Sequence, residues 1–404
     1  MVLTNVLISY LSIIFGLNVI STLTAQPELK LVNVIFRHGD RTPDEKYERY
    51  PKDPHLNHTF YPEGLGQLTI EGKQREYKLG TILHDRYKKF LGDMYIPKIV
   101  VGHSSDYDRT KASLQLVLAG LFPPNDRQRW NDNILWQPIP TTYISRVNDN
   151  FFLSDECPKL LNELDRVLEL PETRKILSQF DEMSKNLTEL TGKIMSRPQD
   201  WYYLYHTFVT YSYLNLTLPK WAYDYYPNGQ LFDAIVLTYN LYSYNPLLKR
   251  LNAGPIIRAM FDNMKAVQNS TSKTKIYLYS GHETNIAKQL IAFNVYKPHV
   301  PEFSSAVILE LLQQDNQYYV KILHYRGIPP VIDELTIPGC DTLCSFDKFS
   351  DFIKDLIPSD EEMVCDKRKT ADYANTEYPA AIYTKLYKNI KLTELHSKSI
   401  HISI

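Results

Sequence analysis

The run Leu29–Phe36 is nearly continuous in apolar and β-branched side chains, the pattern of a strand buried on both faces. From Gly66 to Leu91 the period changes. Leu68, Tyr77, Leu79, Leu83 and Tyr87 recur at helical spacings with Lys, Arg and Glu between them, which predicts a long helix. Ile99-Val100-Val101 reads as a second short strand that ends at Gly102-His103-Ser104-Ser105. Arg109–Leu121 reads as a helix with Leu114, Val117, Leu118 and Leu121 on one face, stopped by Pro123-Pro124. This alternation predicts an α/β fold with a mostly parallel central sheet and helices on both faces.

Between about residues 140 and 255 the pattern turns largely helical, with candidates at Lys159–Leu170, Glu172–Thr191, Asp200–Leu214 and Gln230–Tyr244. Tyrosine and tryptophan crowd this stretch (Trp201, Tyr202, Tyr203, Tyr205, Trp221, Tyr223, Tyr225, Tyr226), and plain packing is the favoured reading over an aromatic-lined groove. Strand character resumes at Lys275–Tyr279, which ends at Ser280-Gly281-His282-Glu283-Thr284 before a helix from Asn285. Ala306–Leu312 and Tyr318–Tyr325 form a predicted hairpin turning near Asp315-Asn316. The expected organisation is a leader over 1–25, an α/β core over 26–139 and 256–404 (the latter including a C-terminal tail), and a smaller helical insertion over 140–255.

The two ends and the charge narrow the class. Val6–Ile20 has the length of a signal-peptide apolar core, with small or polar residues following to Ala25, so a secreted protein is expected. No second apolar run approaches membrane length, so no stable membrane anchor is expected. A net charge of −1 over 404 residues gives no global attraction for nucleic acid. Sequons at Asn57, Asn186, Asn215 and Asn269 agree with export. The four cysteines allow three pairings. The Cys340-x3-Cys344 spacing suits a local loop and leaves Cys157 for Cys365; zinc is the rival reading, but no second close Cys or His pair accompanies them.

The chemistry lies where the strands end. Arg37-His38-Gly39-Asp40-Arg41-Thr42-Pro43 follows the first strand and sets a histidine between two arginines. Arginine binds phosphate through a planar bidentate fork and keeps its charge at working pH. Asp106, Asp108 and Arg109 follow the second strand, and His282 and Glu283 the third. In an open α/β sheet ligands bind beyond the carboxyl ends of strands, so the three groups are expected to meet in one crevice. Other candidates are Asp40 as a cap, His103 and Asp106 as residues orienting Arg109, and His55/His58 as a solvated loop pair rather than a metal site.

These residues carry a family resemblance. Arg37–Pro43 meets in full the signature R-H-G-x-R-x-P of the histidine acid phosphatases, branch 2 of the histidine phosphatase superfamily. The likeness continues through Tyr61–Thr69, Arg86–Leu91, Ser105–Thr110, Leu121–Pro124 and Ser280–His282, and is strongest toward the animal prostatic, lysosomal and insect-venom types. It implies a phosphoglycerate-mutase-like fold and hydrolysis of phosphate monoesters with no cofactor and no metal. His38 would be the nucleophile, forming a phosphohistidine; Arg37, Arg41, Arg109 and His282 would hold the phosphoryl oxygens; Glu283 would donate the proton, where the family usually has Asp. An acid optimum follows, because nearby arginines favour ionised Glu283. Small phosphate monoesters or phosphorylated proteins or lipids are the expected partners, and a homodimer is among the expected assemblies. Two alternatives stay open: a phytase-like enzyme, and a catalytically weak phosphate- or lipid-binding homologue.

Overall fold

The computed structural model describes residues 26–366. The expected leader and the tail beyond 366 lie outside these residues. Their first half runs β1 (Glu28–Arg37), α1 (Ile70–Leu91), β2 (Val100–Ser104), α2 (Asp108–Leu121) and β3 (Thr142–Tyr143). A helical stretch follows, α3 (Pro158–Leu168), α4 (Pro171–Leu177), α5 (Asp181–Thr191), α6 (Pro198–Tyr213), α7 (Gln230–Leu241), α8 (Pro246–Asn252) and α9 (Gly254–Gln268). Then come β4 (Ile276–Gly281), α10 (Glu283–Ala292), β5 (Ala306–Gln314), β6 (Gln317–Tyr325), β7 (Ile332–Leu335), β8 (Cys344–Ser345) and α11 (Phe346–Ile353).

The α/β sheet expected from the pattern is present. Its order is β3-β2-β4-β1-β5-β6-β7, with β8 beside β6. Strands β3, β2, β4 and β1 run parallel, and β5, β6 and β7 extend the sheet antiparallel. Strand β1 is largely apolar from Leu29 to Phe36 because both its faces are covered. Val32, Val34 and Phe36 pack with Leu79 and Leu83 of α1 and Leu114 and Val117 of α2. Leu31 and Ile35 point the other way, into Ile256 and Met260 of α9 and Ile286 and Leu290 of α10. The β5–β6 hairpin turns at Asp315 and Asn316, both in the left-handed region (φ 48° and 63°), as a tight hairpin turn requires.

Two helices depart from their expected bounds. Helix α1 starts at Ile70, not Gly66, and Thr69 caps it by accepting from the Gly72 N–H. Gly66 is left-handed (φ 71°), and Leu68 bridges to Arg41, so this stretch is already committed to non-helical backbone. The predicted helix Glu172–Thr191 divides into α4 and α5 at a 3₁₀ turn over Ser178–Phe180. That turn brings Phe180 into line with Met183 and Leu187 in one core, so tertiary packing overrides helical continuity.

The helical stretch has packing of its own, with Trp201, Leu204 and Phe208 of α6 against Leu231 and Ile235 of α7. The same core takes in Tyr50, Ala287 and Phe303 from outside 140–255. Cys157 pairs with Cys365 across 208 positions, and Cys340 with Cys344. Among the described residues no helix is long and apolar enough to cross a membrane. The sequon residues Asn57, Asn215 and Asn269 are exposed, and Asn186 is half-buried.

Candidate active site

Strand β1 delivers Arg37 and His38 to its carboxyl end, between two neighbours. The Arg37 N–H donates to Ser305 O and the His38 N–H to Gly281 O, so the motif's backbone is held from both sides. The next residue must be glycine. A Cβ on Gly39 would overlap the Gly72 carbonyl, because this loop lies backbone against backbone on the first turn of α1.

The His38 ring is 1% exposed. Its Nδ1 lies 2.8 Å from Gly39 O. A carbonyl can only accept, so Nδ1 carries the proton and Nε2 keeps its lone pair. Burial lowers the His38 pKa, and the charges of Arg109, Arg37, Arg41 and His282 lower it further, well below the usual histidine range. Neutral imidazole with a free Nε2 is the nucleophilic form.

The arginines around it are held differently. Both terminal nitrogens of Arg41 are taken by Glu48, and Nη1 also donates to Thr42 O. Arg109 lies over the Tyr107 ring at 4.3 Å, with Asp44 3.9 Å from Nη1. Arg37 lies deeper: Nη1 donates to Pro301 O and the guanidinium stacks on Phe303 at 3.9 Å. Four buried donors on these three side chains, Arg37 Nε and Nη2, Arg41 Nε and Arg109 Nε, have no hydrogen-bond partner among the described residues. Orphaned charged donors are costly in a protein interior, and an anion is the partner that satisfies several at once.

His282 and Glu283 arrive where β4 passes into α10. Asn285 Oδ1 accepts from the His282 N–H. His282 Nε2 meets Ser105 Oγ at 2.9 Å, and Ser105 in turn donates to Thr110 Oγ1, whose own proton goes to a backbone carbonyl. The His38 and His282 rings meet edge to face, 5.6 Å apart. Glu283 is 4% exposed; Tyr202 donates to its Oε1, His206 Nε2 stands 3.6 Å from the same oxygen, and Arg37 Nε stands 3.7 Å from Oε2. Burial pushes this carboxyl up, but His206, Arg37, the Tyr202 hydroxyl and His282 together hold it well below the usual carboxylate range.

One cleft of ≈ 1020 Å³, counted to its open mouth, is lined by His38, Arg41, Arg109, His282 and Glu283. Arg37 is not on its lining. The structure therefore brings all three strand ends to one place. Of the weaker candidates, Asp40 pairs with Arg75 through both carboxylate oxygens. His103 bonds Thr142 and stacks on Phe152, and Asp106 takes Lys111, so neither of these two touches Arg109. His55 and His58 go separate ways, to Thr217 O and the Phe60 N–H.

Residue patterns did not single out Glu48, Lys288, Tyr202 or His206. The packing reading of the aromatic stretch holds for Trp201 and Tyr205, which are buried, but Tyr202 and Tyr203 line the cleft together with Tyr47, Tyr107, Tyr239 and Tyr242.

Comparison with known proteins agrees with this geometry. Residues 28–325 match the histidine phosphatase superfamily (branch 2), and the chain belongs to that family. The family is one of phosphatases, which supports phosphatase activity for the chain. The chain is 52% identical to venom acid phosphatase Acph-1 of Apis mellifera over 352 residues, 87% of this chain and 91% of the relative. It is 30% identical to human prostatic acid phosphatase, covering 84% and 88% of the two chains, and 31% identical to human lysosomal acid phosphatase, covering 88% and 84%. Among solved structures, the Hafnia alvei phytase in complex with myo-inositol hexakis sulphate superposes with TM-score 0.62 at 16% identity, over 84% of this chain and 99% of that one, a likeness of fold alone.

Proposed function

We propose that this protein is a secreted acid phosphatase that hydrolyses phosphate monoesters through a covalent phosphohistidine on His38, with Glu283 as proton donor. The observation that carries the reading is the set of buried N–H donors that make no hydrogen bond among the described residues, on Arg37, Arg41 and Arg109, the three arginines whose charges act on His38. Those guanidinium groups and His282 hold the phosphoryl oxygens and neutralise charge that spreads over them in the transition state, the service a metal performs elsewhere.

In the first step the His38 Nε2 lone pair forms the N–P bond as the P–O bond to the leaving group breaks. The Glu283 carboxyl gives its proton to the departing oxygen. In the second step water attacks phosphorus, the N–P bond breaks, and the Glu283 carboxylate takes the water's proton. An anion among the arginines competes for the positive charge that holds Glu283 ionised, so substrate binding raises its proton affinity. Acidic medium then supplies the proton, and an acid optimum results.

The cleft wall favours simple monoesters over polyphosphorylated rings. Beyond the arginines it presents six tyrosines with Asp44, Asp155 and Glu156, and among the described residues Lys288 is the one further cation on the lining. The apolar run Val6–Ile20, the disulfides and the exposed sequons support secretion. Exposed Trp130, Leu135 and Trp136 support a homodimer.

Assay of an aryl phosphate near pH 5 with wild type and His38→Ala tests the reading: loss of at least about 10³-fold in kcat is expected. Absence of His38-dependent turnover at any acidic pH would sink the enzyme reading and leave the weak-binder alternative standing.

A further inference from the structure

Glu283 opens α10, but the groups that grip its carboxylate come from the helical stretch. Tyr202 and His206 stand four residues apart on α6, so both side chains leave the helix on one face. Their rings touch, with centroids 4.6 Å apart, and both reach Oε1 of Glu283. His206 is 1% exposed, and its Nε2, which makes no hydrogen bond among the described residues, faces that carboxylate at 3.6 Å. Oε2 is left on the side of Arg37.

A glutamate has one more side-chain torsion than an aspartate and must be ordered for each turnover unless something holds it. A hydrogen bond from Tyr202 makes Oε1 the less basic oxygen, which directs the transferable proton to Oε2. We propose that Tyr202 and His206 are positioning residues for the acid–base step, gripping one carboxylate oxygen of Glu283 so that the other carries the proton. This rests on Glu283 being the proton donor, as proposed above. The grip comes from one helix face, whereas the charges that face the carboxylate come from several elements: Arg37 and Arg41 from the motif and His282 from the end of β4, with Tyr239 of α7 nearby. Burial lowers the His206 pKa to about 4, so above that pH it acts as a neutral polar partner.

The test compares p-nitrophenyl phosphate, whose leaving group needs little protonation, with an alkyl ester such as glycerol 2-phosphate. The proteins are wild type, Tyr202→Phe, His206→Gln, His206→Leu, Glu283→Gln and the Tyr202→Phe/Glu283→Gln double variant. Tyr202→Phe should lower kcat on the alkyl ester about tenfold and on the aryl ester about twofold, with KM nearly unchanged. Its alkaline kcat limb on the alkyl ester should move to higher pH, because the ionised carboxylate loses a donor. The double variant should be no slower than Glu283→Gln. His206→Gln, which keeps a polar side chain, should retain more alkyl-ester activity than His206→Leu.

Equal slowing of both esters by Tyr202→Phe, or an undiminished further loss in the double variant, would overturn the positioning role and leave Glu283 as the acid. Absence of leaving-group discrimination in Glu283→Gln itself would remove the acid role, and the positioning role with it.

Discussion

Glu48 grips both terminal nitrogens of Arg41, and both side chains are buried, at 4% and 6% exposure. Burial pushes the Glu48 carboxyl up, but the Arg41 charge and hydrogen bonds win and hold it below its usual range. For such a carboxylate, stability is present above the unfolded pKa and is lost as pH falls through the lowered folded value. The pair therefore survives in the acidic medium where the enzyme is proposed to work. Glu48→Ala should cost about 3–5 kcal/mol in urea unfolding, because it strands a buried guanidinium. A loss under about 1 kcal/mol would show that Arg41 is held by other means.

Arg109 is the largest contributor, after burial, to the low pKa of His38. Replacing it with Gln removes a positive charge and raises the His38 pKa. Because neutral His38 is the nucleophile, the acid limb of kcat/KM should then move to higher pH. KM for an aryl phosphate should also rise about tenfold or more, as a charged phosphate contact is lost. A pH profile with an unmoved acid limb would separate Arg109 from the electrostatics of His38.

Glu76 of α1 is fully buried behind the motif. Ser304 donates to its Oε1, and its Oε2 has no hydrogen-bond partner among the described residues. Burial, with Asp40 adding to it, pushes this carboxyl well above the usual range against the pull of Ser304, Arg75 and Arg37. The sign is the reverse of that for Glu48. A carboxyl whose folded pKa is raised contributes stability that is full below the unfolded value and is lost as pH rises through the folded one. Glu76→Gln should therefore flatten the fall of Tm toward neutral and alkaline pH, with a gain of about 2 °C or more on that side. Parallel Tm curves for the two proteins would refute a protonated Glu76.

The strand ends were legible because each is a contiguous cluster. Arg37, His38 and Arg41 follow a nearly continuous apolar run, and β–α alternation alone predicts that Arg109 and His282 share their crevice. The grip on Glu283 was not. Tyr202 and Tyr205 sit in one aromatic run, and nothing local says that the first faces the cleft and the second the core. Glu48 was hidden for a related reason, since its pairing with Arg41 depends on how the loop after the motif closes. The start of α1 was misjudged at Gly66 because helical spacing of Leu68 competes with a left-handed glycine and a bridge to Arg41, which only the folded chain reveals.

The central claim is that His38 attacks phosphorus. Rapid acid-free quench of the enzyme with a phosphorus-labelled aryl phosphate, followed by peptide mapping, tests it most directly. The account predicts a base-stable, acid-labile label on His38 that is absent from His38→Ala and that accumulates in Glu283→Gln with an activated ester, where the water step lacks its base. A label on any other residue, or turnover with no labelled enzyme at any quench time, would contradict it.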